Sequence, residues 1–406
     1  MRHYDLGDYG IFILLFSIAT IISSFAFPYY LSFQKFIPEY KKTNNFYNIK
    51  LLIEHSFSSA IKNVSILWAI SIFLIFIYYL FVDESFFYLS LLSTLFIPLS
   101  FFKNYLTQYL ISNENLKELS IASVLNSILF LLFSLFISYS HLDLPYLFFM
   151  KIISESVFIY LGFFYLSKFY KLSFKFSLTL TKHLSSIREY VLPLFKSNLV
   201  NIFYSEGSKV IVGSLISMEG LSLYNLSRLV LDNITNIFYA FPSAIFPIIQ
   251  RTYKQSEKTE FIVNIFYKCI SFSLITLILI YLFGEKFIVF IFNEKYQYSY
   301  NLMIVLGIQI LFRWPSNIFS LIININNNTN SFYRVSIYKF ILDILTLYLF
   351  IFELGIFGIV LSNVLGYIFA SLYISYQSAK LIKINFLKIV GVYVASFLFY
   401  LVIIQL

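Results

Sequence analysis

Long apolar runs separated by short polar loops recur from one end of this sequence to the other. About twenty such residues cross the hydrocarbon core of a bilayer as a helix. The pattern predicts twelve spans, at 10–34, 63–82, 87–111, 119–138, 146–166, 191–217, 222–249, 261–283, 300–323, 333–352, 357–379 and 389–406. The expected fold class is therefore all-α, a polytopic membrane protein. Composition agrees: 59% of residues are hydrophobic and 12% are charged, against about 25% charged in a soluble domain. Met1–Asp8 does not read as the basic start of a cleaved signal peptide.

Loop charge then orients the spans. Lys35, Lys41, Lys42, Lys50 and Lys62 follow the first span, and Lys168, Lys171, Lys175, Lys182 and Arg188 follow the fifth. Arg251, Lys254 and Lys258 follow the seventh, and Lys380, Lys383 and Lys388 the eleventh. The alternate loops carry Asp83, Glu84, Asp143, Glu219 and Glu353, with Lys286 and Lys295 balanced by Glu285 and Glu294. The positive-inside rule makes the basic loops cytoplasmic and leaves both chain ends outside. The net charge of +9 is thus a matter of orientation in the membrane, and no nucleic-acid partner is expected.

An internal repeat accounts for the odd parity. AFPYYLSFQKFIPEYKK (26–42) and AFPSAIFPIIQRTYKQ (240–255) each close an apolar span. The span 10–34 then corresponds to 222–249, and only the second copy has a preceding span. Two pseudo-symmetric lobes follow, with the first helix of the first lobe expected to be missing. The expected division is 1–168 for the N-terminal lobe, 169–190 for a cytoplasmic linker, 191–379 for the C-terminal lobe and 380–406 for an extra span.

The rest of the chemistry is sparse. The single cysteine, Cys269, excludes an intramolecular disulfide and a cysteine metal cluster. Four scattered histidines form no HExxH pair, and there is no P-loop, GxGxxG or nucleophile elbow. No cofactor, metal site or catalytic residue is expected. The 50 Phe and 34 Tyr read as lipid-facing bulk and the bias of an AT-rich coding sequence before they read as a stacking platform.

Charges inside the spans are the informative exception. Lys151/Glu155, Glu206/Lys209, Arg228/Asp232 and Lys339/Asp343 are opposite charges three or four residues apart, on one helix face. Lys103, Lys268 and Arg313 have no such local partner. Each mid-membrane charge costs about 2.5–3.5 kcal/mol facing lipid, so all of them should face protein or a wet cavity. Lys151/Glu155 and Lys339/Asp343, nearer the ends of their spans, read equally well as pairs that join helices. Lys209, Arg228 and Arg313 suggest a cavity for an anionic group, with phosphate the obvious one. Pro28, Pro38, Pro193, Pro242, Pro247 and Pro315 are expected to interrupt spans along a substrate path.

In order along the chain, LGDYGIF (6–12), KFIPEY (35–40), REYVLPLF (188–195), SKVIVG (208–213), LYNLSRL (223–229), FNEKYQYSYNLMIVLG (292–307) and ELGIFGIVLSNVLGYI (353–368) resemble polysaccharide flippases of the MOP superfamily, Wzx-type, related to MurJ and to MATE exporters. The family often has an acidic residue where Ser208 stands, a place Glu206 is able to take from two residues earlier. The resemblance implies a non-enzymatic flippase of the bacterial inner membrane. Its substrate would be an undecaprenyl-diphosphate-linked oligosaccharide such as an O-antigen unit, moved from the cytoplasmic to the periplasmic leaflet. Its partners would be this lipid-linked substrate, membrane lipids, a polysaccharide polymerase and a chain-length regulator. Arg228, Lys209 and Arg313 would bind the diphosphate, and Glu206, Asp232 or Asp343 would carry a coupling ion or proton. The alternatives are a MATE-like cation or drug exporter, which calls for a net acidic site, and a membrane-embedded polymerase or glycosyltransferase. An enzyme of that kind needs large outer loops, and the longest expected here is only 284–299.

Overall fold

The computed structural model describes residues 5–81, 87–140, 143–169, 182–252, 258–325 and 329–405. Of the expectations above, those on Asp83, Glu84, Lys171 and Lys175, most of the linker, and the side chains of Lys168, Lys182, Pro242, Pro247, Arg251, Lys254 and Lys258 fall outside the described residues.

Among the described residues fourteen α-helices follow one another. In the first half they are α1 (Leu6–Ser24), α2 (Phe33–Lys42), α3 (Phe46–Phe81), α4 (Phe87–Thr94), α5 (Phe96–Ser112), α6 (Leu116–Ser140), α7 (Leu144–Phe169) and α8 (Lys182–Ile211). In the second they are α9 (Met218–Thr252), α10 (Lys258–Phe292), α11 (Tyr298–Ile325), α12 (Thr329–Leu354), α13 (Ile356–Ile382) and α14 (Phe386–Gln405). Among the described residues, ten stretches are long and apolar enough to cross a membrane. The expected spans 191–217 and 222–249 are not among these ten. Residues 191–211 are nonetheless helical in α8, followed by a π-helical turn at Val212–Ile216, and 222–249 lie in α9, with Lys196, Glu206, Lys209, Arg228 and Asp232 set among the apolar residues.

Local chemistry sets the helix ends. The Asp5 carboxylate accepts a hydrogen bond from the Leu6 amide at 2.8 Å and starts α1. The span expected at 10–34 is two pieces: α1 stops at Ser24, a 3₁₀ turn covers Tyr29–Ser32, and α2 begins at Phe33. Pro28 lies in the gap, where its missing amide and its bias against an α-helical Phe27 prevent continuation. The other expected interruptions are not there. Pro38, Pro193 and Pro315 lie inside α2, α8 and α11, and the backbone of α9 stays helical through 242 and 247. The loop expected at 284–299 is also shorter, because α10 continues to Phe292 before a 3₁₀ turn at Glu294–Tyr296.

The chain divides into two compact units, Met1–Val210 and Ile211–Leu406. In the first, α1 packs on α4, α5 and α7, while α5 and α6 each pack on α7 and α3 packs on α5. Phe12 meets Phe96 and Phe148 edge-on at 6.4 and 4.8 Å, and Phe96 and Phe148 are tilted at 6.0 Å, where α1, α5 and α7 converge. In the second unit, α9 packs on α11, α11 and α12 pack on α13, and α10 packs on α11. The partners recur in the same order, α1, α3, α5, α6 and α7 standing where α9, α10, α11, α12 and α13 stand. The helix α14 packs on α10, α11 and α13.

Hydroxyls draw α11, α12 and α13 together, as small polar residues do in membrane bundles. Ser378 donates to the Phe319 carbonyl at 2.7 Å and Ser362 to the Asp343 carbonyl at 2.7 Å, while Ser316 and Ser371 meet at 3.3 Å. The α12–α13 turn is tight enough that a Cβ on Gly358 would collide with the Phe350 carbonyl, and Gly355 takes φ +55°.

Orientation is directly testable. In a Cys269→Ser background, single cysteines between Lys42 and Lys50 should resist an impermeant thiol reagent on intact cells. Single cysteines between Lys286 and Lys295 should react. The reverse pattern would invert the topology.

Candidate functional site

Three helices of the second unit each turn one polar face toward a common crevice. Arg228, Asp232 and Thr235 recur at helical spacing on α9, Gln309 and Arg313 on α11, and Asn363 and Tyr367 on α13, and all of them line it. The crevice is narrow, about 10 Å³, room for about one water.

Asp232 sits between two arginines. Its carboxylate is 3.9 Å from Arg228 on its own helix and 3.9 Å from Arg313 on α11. Both contacts are longer than a hydrogen-bonded ion pair at 2.7–2.9 Å. The Asp232 side chain is 49% exposed, whereas those of Arg228 and Arg313 are 14% and 24% exposed. The two guanidinium groups thus share one carboxylate at long range, and both are more buried than it is.

Tyrosines hold the cations in place. The Arg228 guanidinium stands 5.8 Å from the ring centre of Tyr224, whose hydroxyl accepts a hydrogen bond from Asn363 at 3.1 Å. Arg313 stands 5.0 Å from the ring of Tyr367, and Lys339 of α12 stands 4.2 Å from the same ring. Lys339 is buried and bonds Asp343 at 3.0 Å, and Asp343 presses so closely on α13 that a Cβ on Gly366 would overlap its carboxylate. Trp314 of α11 stacks on Phe238 of α9 at 4.2 Å with the rings 2° from parallel, a buried contact between the two helices. Arg228, Arg313 and Lys339 against Asp232 and Asp343 leave one net positive charge.

Arg228 and Arg313 come together in the second unit with Asp232 between them, and Asp343 lies one tyrosine away. Lys209 and Glu206 belong to the first unit, where they pair at 2.9 Å, each 14% exposed. Lys103 does have a partner, from another helix: Glu155 accepts from it at 2.8 Å and from Lys151 at 2.9 Å, tying α5 to α7. Lys268 is exposed on α10. Tyr224, Asn363 and Tyr367 were not singled out by sequence. Their only signal is the four-residue spacing of Asn363 and Tyr367, which carries no weight in a chain with 34 tyrosines.

The comparisons with known proteins agree with this architecture. A family model described as "Polysaccharide biosynthesis protein" matches residues 1–300. No curated protein matches significantly by sequence. Among solved structures, an inward-facing multidrug resistance MATE family transporter of the MOP superfamily superposes with a TM-score of 0.71 at 14% identity, covering 94% of this chain and 95% of that one. The lipid II flippase MurJ in an inward closed conformation superposes with a TM-score of 0.64 at 13% identity, covering 98% of this chain and 96% of that one. At these identities the likeness shows the fold, and the family follows from the model that spans residues 1–300. The chain belongs to the polysaccharide biosynthesis protein family, built on the all-helical membrane fold of the MOP superfamily.

Proposed function

We propose that the protein is a flippase that moves a lipid-linked oligosaccharide with a diphosphate linkage between the leaflets of a bacterial inner membrane. The observation that carries this reading is the pair Arg228 and Arg313 facing one crevice, with Asp232 3.9 Å from each. Guanidinium groups bind phosphate oxygens bidentately, and in a crevice of low dielectric that interaction outcompetes a long contact to one carboxylate. A cation exporter calls for the opposite balance of charge. In this scheme the site opens to one leaflet at a time, as alternating access requires. An inside-negative potential favours outward movement of an anion by about 2.3 kcal/mol per charge per 100 mV. In this scheme Asp232, released from the arginines when phosphate binds, is the group placed to take a coupling proton.

The test is expression in a strain lacking its own O-antigen flippase, with surface polysaccharide as the readout. Restored display supports the reading, and normal membrane insertion with no display for any lipid-linked substrate class contradicts it. The MATE transporter's TM-score of 0.71 supports a second reading, export of a cationic drug. Raised resistance to cationic dyes without polysaccharide display would favour it.

A further inference from the structure

A second cavity, of about 300 Å³, opens between α10, α11 and the turn that joins α13 to α14. This is the size of a ligand pocket. Val263 and Phe266 of α10, Phe319 of α11 and Ile389 of α14 give it an apolar lining, and Lys383 and Lys388 stand at its exposed rim. The cavity lies where α10 begins, α11 nears its end, α13 ends and α14 begins, so all four helices meet the same membrane face there. Loop charge makes that face cytoplasmic.

The two lysines are not explained by local structure. Lys383 takes φ +57° just past the end of α13, a left-handed position where glycine is usual. Lys388 lies in the first turn of α14, the positive end of the helix dipole, where a cation is disfavoured. Among the described residues no carboxylate comes within ion-pair distance of either lysine. Two cations and a helix start thus converge on the mouth of a greasy pocket at headgroup depth, where basic pockets between membrane helices take up acidic lipids.

We propose that this pocket binds an anionic diacyl phospholipid of the surrounding bilayer, with its phosphate between Lys383 and Lys388 and an acyl chain against Phe266, Phe319 and Ile389. The site is separate from the Arg228 crevice and does not depend on what that crevice transports. A lipid held there would brace α14 against α10 and α11.

The purified full chain, in a zwitterionic lipid background and titrated with dioleoyl phosphatidylglycerol, tests this by native mass spectrometry. Wild type should bind phosphatidylglycerol in preference to phosphatidylcholine. Lys383→Ser with Lys388→Ser should weaken binding roughly thirtyfold, about fivefold per lysine, while Lys383→Arg with Lys388→Arg should retain it. Val263→Phe, which fills the cavity and spares both lysines, should also weaken binding. Lys286→Ser with Lys295→Ser, at the opposite ends of the helices, should change nothing. Undiminished binding by the double serine variant or by Val263→Phe would overturn the proposal. So would equal affinity for phosphatidylcholine, or preferential uptake of undecaprenyl phosphate.

Discussion

Arg228→Ala is expected to abolish surface polysaccharide while membrane insertion stays near normal. The residue is 14% exposed in its side chain, lines the crevice and lies 3.9 Å from Asp232, so its guanidinium is placed to meet an anion that enters there. Losing one partner of a desolvated phosphate contact costs about 2–5 kcal/mol, at least a thirtyfold fall in binding. Arg228→Lys should keep part of the activity, since the charge remains and the bidentate fork is lost. Arg313→Ala should behave like Arg228→Ala. Arg228→Met with Asp232→Leu separates structure from function, because a scaffold tolerates removal of both charges together. That double variant should insert normally and display no polysaccharide. Normal display would make the pair structural.

The largest effect on stability is expected at Lys339 and Asp343. Both side chains are under 8% exposed and pair at 3.0 Å, so Asp343→Ala removes the counter-charge of a buried ammonium. The expected cost is about 3–5 kcal/mol, seen as a lower melting temperature of the solubilised protein and a lower level in the membrane. Lys339→Met with Asp343→Leu removes both charges and should recover most of that loss. Gly366→Ala should destabilise through the same pair, since its methyl group takes the space of the Asp343 carboxylate. Equal losses in the Asp343 single variant and the Lys339/Asp343 double variant would show that the two charges do not depend on each other.

The membrane architecture was legible because hydrophobic runs of bilayer length need no tertiary information. The i, i+4 pairs Lys151/Glu155 and Lys339/Asp343 were legible for a related reason: helical periodicity alone puts both members on one face. Proline was a poorer guide. Pro28 lies where the helix breaks, but Pro38, Pro193 and Pro315 stay within helices, which tertiary context in a membrane bundle permits and one sequence does not show. Contacts between helices were out of reach. The Lys103 partner, Glu155, lies on another helix, and the bridging of Arg228 and Arg313 by Asp232 depends on how α9 packs on α11. Tyr367 was invisible for the same reason: its role comes from the two cations that α11 and α12 bring to its ring.

The central claim, that the crevice of α9, α11 and α13 carries a diphosphate-linked oligosaccharide across the membrane, is tested most directly in vesicles. Purified protein reconstituted with undecaprenyl-diphosphate-linked oligosaccharide loaded in one leaflet is sampled with an impermeant glycan-cleaving enzyme on the other side. Wild type should expose the glycan to the enzyme, while Arg228→Ala with Arg313→Ala should leave it as protected as in protein-free vesicles. Equal exposure by wild type and the double variant, or none by either while wild type dissipates a gradient of a cationic dye, would contradict the account.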